Sequence, residues 1–159
     1  MTEASTSGGS TRVSRIIKAP RKTIYQAFLD PDAVAAWLVP DTMRSYIHTF
    51  DPREGGTFRI SLTYQNPEDA QRGKTAADTD TYHGRFVKLV PYEKIVEVIE
   101  FESQEPGFAG EMTMTVTLAD VEGGTQVSLL HENVPVGVRP EDNEAGSRQS
   151  LAKLAALVE

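Results

Sequence analysis

A chain of 159 residues, with 39% hydrophobic and 25% charged residues, has the size and composition of one globular domain. Its formal net charge is −7 and its basic residues form no stripe, which argues against nucleic acid or an anionic membrane as a partner. The lack of cysteine excludes disulfides, thiolate chemistry and cysteine metal sites, and without an apolar signal region we expect a cytoplasmic protein.

The beginning of the chain is rich in Ser, Thr and Gly, so we expect a disordered tail over residues 1–10 and a single domain over residues 11–159. Apolar spacing then predicts a first strand followed by two short helices. The second helix should begin at Asp30 and carry Trp37 on its apolar side.

Strands should form most of the middle of the chain. The clearest alternation runs from Phe58 to Tyr64, where apolar and polar residues take turns. Turn signals such as Gly123-Gly124 recur roughly every 12 residues, which indicates an antiparallel meander of about six to seven strands. The polar segment from Gln65 to Asp80 predicts an exposed loop at a hairpin end.

The residues from Pro140 to Glu159 predict one amphipathic helix. Pro140 suits its first turn, and Ser147, Leu151 and Leu154 share one face at helical spacing. This stripe must be buried against the sheet. Because a curved sheet around one long helix tends to leave a hollow, we expect a cavity between the two.

Short motifs spread over nearly the whole chain carry a family resemblance. They are Ile17-Lys18-Ala19-Pro20, Phe28-Leu29-Asp30-Pro31 with Trp37, the turn from Asp51 to Phe58, Gly84 ahead of Leu89-Val90-Pro91, Gly123-Gly124-Thr125 before Leu129-Leu130-His131-Glu132, and Gly146 with Leu151, Leu154 and Leu157. In this order they resemble the helix-grip superfamily of START-like, polyketide cyclase-like (SRPBCC) proteins. Within it they resemble the branch named after the activator of the heat-shock-protein-90 ATPase.

The resemblance implies an α+β helix-grip fold, in which a curved antiparallel sheet wraps around a long C-terminal helix and two short helices follow the first strand. The branch has no shared catalytic motif, so no reaction is implied. Its members commonly place tryptophan after the glycine that matches Gly146, and this chain has Ser147. Either the core compensates for the missing ring or the hollow is more open. Gly146, which would let the helix sit close to the sheet, favours the open cavity.

The candidate ligand-binding residues are mostly aromatic or flexible apolar side chains from separate elements. They are Trp37, Phe58, Tyr64, Tyr82, Phe86, Phe101, Met112, Met114, Leu129, His131, Ser147, Leu151 and Leu154. For any one of them ordinary core packing is the simpler explanation. As a set from one interior, they are typical of a cavity for a small molecule.

Few polar residues are candidates for site chemistry. Strand parity points His131 at the hollow, where it could orient a ligand or act as an acid or base, although a core-edge histidine satisfied by backbone or water is simpler. Glu97 is the candidate buried carboxylate, while Glu100, Glu102 and Arg59 should face solvent. The histidines are too dispersed to indicate a metal site and no nucleotide motif is present, so we expect no metal and no cofactor.

The first functional interpretation is binding of a small hydrophobic or aromatic molecule, with Tyr64, Tyr82 and His131 orienting its polar groups. A cyclase- or hydrolase-type enzyme that uses the same cavity is the second, with His131 as the catalytic group. The third, by analogy with the family name, is a chaperone-associated interaction module. Whether the chain forms a homodimer stays open.

Overall fold

The structure is a computed structural model that describes residues 9–39, 42–65 and 79–159. The strands are β1 (Thr11–Ile17), β2 (Met43–Phe50), β3 (Thr57–Tyr64), β4 (Thr79–Val90), β5 (Lys94–Phe101), β6 (Met112–Val121) and β7 (Gly124–Glu132). The α-helices are α1 (Arg21–Phe28), α2 (Pro31–Trp37) and α3 (Pro140–Val158), and a 3₁₀ turn spans Pro106–Phe108.

The seven strands form one antiparallel sheet in the order β1-β7-β6-β5-β4-β3-β2. Strands β2 to β7 are a meander, and β1 pairs with β7 at one edge. The sheet curls into a half-barrel with α3 against its concave side. The predicted α+β helix-grip fold is confirmed, including the two short helices after the first strand.

The strand register arranges the inward side chains in rows across the concave face. Glu97 of β5 is opposite Phe86 of β4 on one side and Met114 of β6 on the other. Met114 is opposite His131 of β7, and His131 is opposite Thr11 of β1. One row therefore brings a carboxyl and an imidazole together, with a methionine between them.

The disordered tail over residues 1–10 stays a prediction, since residues 1–8 lie outside the described residues; at its end the carbonyl of Gly9 accepts a hydrogen bond of 3.0 Å from the backbone N–H of Val134. One boundary in the middle of the chain differs from that expected. Residues 66–78 of the predicted loop are also outside the description. Asp80, placed in that exposed loop by its polar surroundings, belongs to β4 instead and is only 4% exposed. Strand β4 begins before its first apolar residue, Tyr82, and the composition of the polar segment does not reveal this.

Helix α3 differs between its two halves. Leu151, Leu154 and Ala155 in its C-terminal half are buried in the core, where the helix packs against β1, α1 and α2. Ser150 ties this half to the end of α2, because its hydroxyl donates to the carbonyl of Leu38 over 3.1 Å. The N-terminal half lies over the middle strands and leaves space above them.

Candidate ligand-binding cavity

A cavity of about 650 Å³ lies between the concave face of the sheet and the N-terminal half of α3. Strands β2 to β7 supply its floor, and α2 and α3 supply its sides. Thr42, Arg139 and Gln149 line it and are exposed, so they mark its mouth. The volume is within the range of small-molecule sites in proteins.

Most of the candidate residues surround this cavity. Those that line it are Trp37, Phe58, Tyr64, Tyr82, Phe86, Phe101, Met112, Met114, Leu129, His131 and Ser147. Leu151 and Leu154 do not, because they are packed in the core beneath the C-terminal half of α3. Helical periodicity identifies the face that points inward but not the point along the helix where packing gives way to open space. That the lining residues bind a ligand stays a prediction.

A continuous aromatic wall forms one side of the cavity. The Phe58 ring lies 5.3 Å from that of Phe86 and 6.5 Å from that of Tyr82, and Tyr82 lies 6.3 Å from Phe101, centroid to centroid. These tilted and edge-to-face contacts are the arrangements that aromatic rings prefer. Gly84 makes the wall feasible, since a Cβ there would lie 2.6 Å from Cζ of Phe58.

Trp37 presents only an apolar surface to the cavity. Its Nε1 donates a hydrogen bond of 3.0 Å to the carbonyl of Ala27, and its ring meets that of Phe28 edge to face at 4.7 Å. The polar atom of the indole is therefore satisfied within the protein. What remains for a ligand is a fixed hydrophobic face.

His131 lines the cavity, on the side that strand parity predicts. The residue is 7% exposed, and its buried Nδ1 has no hydrogen-bond partner among the described residues. Burial lowers the pKa of the imidazole to about 4, so the ring is neutral at physiological pH. The simpler interpretation was a histidine satisfied by backbone or water, and no backbone group of the described residues satisfies Nδ1.

Glu97 also lines the cavity, and its side chain makes no hydrogen bond or ion pair with the described residues. Burial raises the pKa of this carboxyl to about 7. The Cα atoms of Glu97 and His131 are about 10 Å apart, two strand spacings, with Met114 between them. Both side chains are on the concave side of the sheet, because both line the cavity.

Asp80 and Tyr82 add polar atoms at the β4 side of the cavity. The pKa of the Tyr82 phenol is raised, first by burial and then by the negative charges of Glu97 and Asp80. Asp80 was not among the sequence candidates. The signal was there, since Asp80 is two residues before Tyr82 and so shares its face of the strand.

The family model for Activator of Hsp90 ATPase homolog 1-like proteins matches residues 18–159. The chain belongs to this family. A crystal structure of a protein from Chromobacterium violaceum is 33% identical, covers 96% of this chain and 99% of that chain, and has a TM-score of 0.83. No curated protein gives a significant match.

Two more distant structures show the fold alone. A protein from Rhodobacter sphaeroides is 18% identical over 94% of this chain and 91% of its own, with a TM-score of 0.76. The AHSA1-like protein from Aeromonas hydrophila, solved in solution, is 16% identical over 94% of this chain and 91% of its own, with a TM-score of 0.69. The expected Activator of Hsp90 ATPase homolog 1-like branch is confirmed by the family model and by the Chromobacterium violaceum structure.

Ser147, the position where the family resemblance leads us to expect tryptophan, faces the cavity. Ser147 lines it and is 8% exposed. A Cβ added at Gly146 would meet no atom of a neighbouring element within 4 Å. The expectation that Gly146 brings the helix close to the sheet is therefore wrong, because the glycine borders open space.

The charged residues expected at the surface form a cluster on the outer face of the sheet. Arg59 donates to both carboxylate oxygens of Glu102 over 2.9 and 3.0 Å, and His83 contacts Glu102 at 3.0 Å and Glu100 at 3.4 Å. The hydrogen bonds from Arg59 are the main cause that lowers the pKa of Glu102. The cluster is separated from the cavity by the sheet.

Within the described part of the chain, no group of His, Asp and Glu side chains is arranged to hold a metal ion. In the same residues no helix is both long and apolar enough to cross a membrane.

Proposed function

We propose that this chain binds a small molecule with an apolar, largely aromatic body in the cavity between the sheet and α3. The observation that supports this most is an interior space of about 650 Å³ bordered by an aromatic wall. Protein interiors otherwise pack to the density of organic crystals, and an empty apolar space costs stability. A ligand would restore the missing contacts.

Apolar burial would supply most of the binding free energy. A ligand that buries about 200 Å² of apolar surface gains roughly 5 kcal/mol before the costs of association. Met112 and Met114 let the floor adapt to different shapes, because methionine is flexible. Tyr82 and His131 would orient polar atoms of the ligand.

The two rival functions have less support. Acid–base catalysis would be favoured by a carboxylate that orients His131, whereas its Nδ1 has no partner among the described residues. An interaction module would be favoured by a large exposed apolar patch. The exposed large apolar side chains of the described residues come from separate elements: Ile16, Tyr46, Val87, Tyr92, Val136 and Leu157. A cytoplasmic location and the homodimer stay predictions.

A titration with an environment-sensitive naphthalene dye tests the proposal. We expect one dye per chain, and a several-fold change in affinity for Phe86→Ala and for Met114→Ala, because both side chains form the cavity floor. Tyr46→Ala is the matched control, since Tyr46 is an aromatic residue on β2 that is 65% exposed and does not line the cavity; its ring contacts that of His48.

A folded wild-type protein that takes up neither dye nor aromatic ligands would reject the proposal. So would equal affinities for all three variants, since the dye would then bind outside the cavity. Native mass spectrometry of the protein from its own host would identify a ligand that co-purifies with it.

A further inference from the structure

The polar groups around the cavity are predominantly acidic. In the described residues Asp80, Glu97 and Asp142 contribute carboxyl groups to the lining, and Asp80 already interacts with another residue. Asp142 is exposed near the one guanidinium, that of Arg139, so Glu97 is the interior carboxyl on which a preference for cations rests. Arg139 is exposed at the mouth and already donates to Glu141 over 3.1 Å. An anionic ligand would therefore meet repulsion in the interior of the cavity, whereas a cation would be attracted.

Glu97 has the surroundings of a cation site. Its neighbours across the ladder are Phe86 and Met114, and the Phe86 ring is 5.3 Å from that of Phe58. No cationic side chain among the described residues pairs with it. An ionised carboxylate in such a place is costly without a partner, and an ammonium beside it would also lie near aromatic faces.

His131 complements Glu97 as a hydrogen-bond acceptor. A neutral imidazole has one acceptor nitrogen and carries no charge that would repel a cation. An ammonium group has several N–H donors, enough for the carboxylate and the imidazole at once. Both side chains line the cavity from strands on either side of Met114, and an ammonium group placed between them could donate to both.

We propose that the cavity selects ligands that carry a protonated amine on the apolar or aromatic body, with the ammonium group donating to Glu97 and His131 above Met114. This inference rests on the proposed function and specifies its ligand class. Compounds of the same shape with a neutral or anionic group in place of the amine bind more weakly.

Three naphthalene compounds of similar shape provide the test: 2-(1-naphthyl)ethylamine, 2-(1-naphthyl)ethanol and the anion of 1-naphthaleneacetic acid. Isothermal titration of the full chain at pH 8 measures each Kd. At this pH the amine is protonated and Glu97 is mostly ionised. We expect the amine to bind about tenfold more tightly than the alcohol, as one charge-assisted hydrogen bond allows, and the acetate to bind most weakly.

Glu97→Gln keeps the size of the side chain and removes its charge. In this variant the Kd of the amine should rise to that of the alcohol, while the Kd of the alcohol stays within about threefold of its wild-type value. Glu100→Gln is the matched control. It removes a carboxyl from the same strand, but from the outer face beside His83, so the preference for the amine should persist.

A wild-type protein that binds the alcohol as tightly as the amine would overturn this inference and leave the proposed function standing, as would a preference that survives Glu97→Gln. If none of the three compounds binds the folded protein, both proposals fail.

A measurement without variants is also decisive: the preference for the amine should fall between pH 8 and pH 5.5, as Glu97 gains a proton. A preference that does not change with pH would contradict the role of Glu97.

Discussion

Ser147 lies on the cavity side of α3, next to a glycine that borders open space. The structure therefore favours one of the two explanations for the missing tryptophan, since the neighbouring side chains have not collapsed into the gap. The sequence marked the position through the family resemblance. It did not reveal whether the gap was filled, because that depends on how rings from β3 and β4 pack.

Ser147→Trp should stabilise the protein and weaken ligand binding together. The ring would occupy cavity space and bury apolar surface, a gain of roughly 1.5–3 kcal/mol if it fits. Thermal unfolding should show a higher Tm, and the naphthalene dye should bind less tightly in a fluorescence titration.

Ala152→Trp is the control, because Ala152 is exposed on the same helix and its ring would reach solvent. A Ser147→Trp variant that is destabilised and binds the dye as the wild type does would show that the ring overpacks a filled space.

The sequence predicts two of the polar residues at the cavity, His131 and Glu97, but not a third, Asp80. Strand parity identifies His131 as cavity-facing, because it alternates in step with Leu129, and Glu97 as the carboxyl that could be buried, because it shares the parity of Phe101. Asp80 was missed because the polar segment before it suggested a loop. Parity and composition disagreed at Asp80, and parity gives the correct face.

At the scale of elements, helix α3 has two roles: one half packs in the hydrophobic core and the other half lines the cavity. Its C-terminal half buries Leu151 and Leu154, and its N-terminal half lines the cavity with residues such as Asn143, Ser147 and Gln149. The periodicity of the sequence predicted the helix and its inward face. The division between the halves follows from where α1 and α2 pack against the helix, a long-range property that periodicity does not contain.

Leu154→Ala should destabilise the fold by about 2–5 kcal/mol, because Leu154 is 0% exposed and the cavity left behind would be apolar. Denaturant unfolding followed by circular dichroism measures the loss.

Leu157→Ala tests the specificity of that loss. Leu157 is on the same helix but 48% exposed, so its truncation should cost much less. Equal losses for the two variants, or no loss for Leu154→Ala, would contradict the burial of this face.

At the scale of the whole molecule, two cavity groups make stability depend on pH in opposite directions. The pKa of His131 is lowered from 6.5 to about 4, so between these values the unfolded chain binds a proton that the folded chain does not. The contribution of His131 to the free energy of unfolding is fully present above pH 6.5 and is lost as pH falls towards 4.

The pKa of Glu97 is raised from 4.5 to about 7, so the folded chain keeps a proton that the unfolded chain releases. The contribution of Glu97 to the free energy of unfolding is fully present below pH 4.5 and is lost as pH rises towards 7.

The two contributions nearly offset each other in the wild type, so single variants should separate them. A pKa difference of one corresponds to about 1.4 kcal/mol, which limits each contribution to roughly 3 kcal/mol.

The free energy of unfolding of Glu97→Gln, relative to wild type, should increase from pH 4.5 to pH 8. That of His131→Gln, relative to wild type, should increase from pH 6.5 down to pH 4. Urea unfolding at a series of pH values measures both differences, and Glu100→Gln controls for the loss of a carboxyl from β5. Parallel stability curves for wild type and Glu97→Gln would show that the Glu97 carboxyl is hydrated in the folded protein, and the cavity would then lack the low-polarity floor on which ligand selection depends.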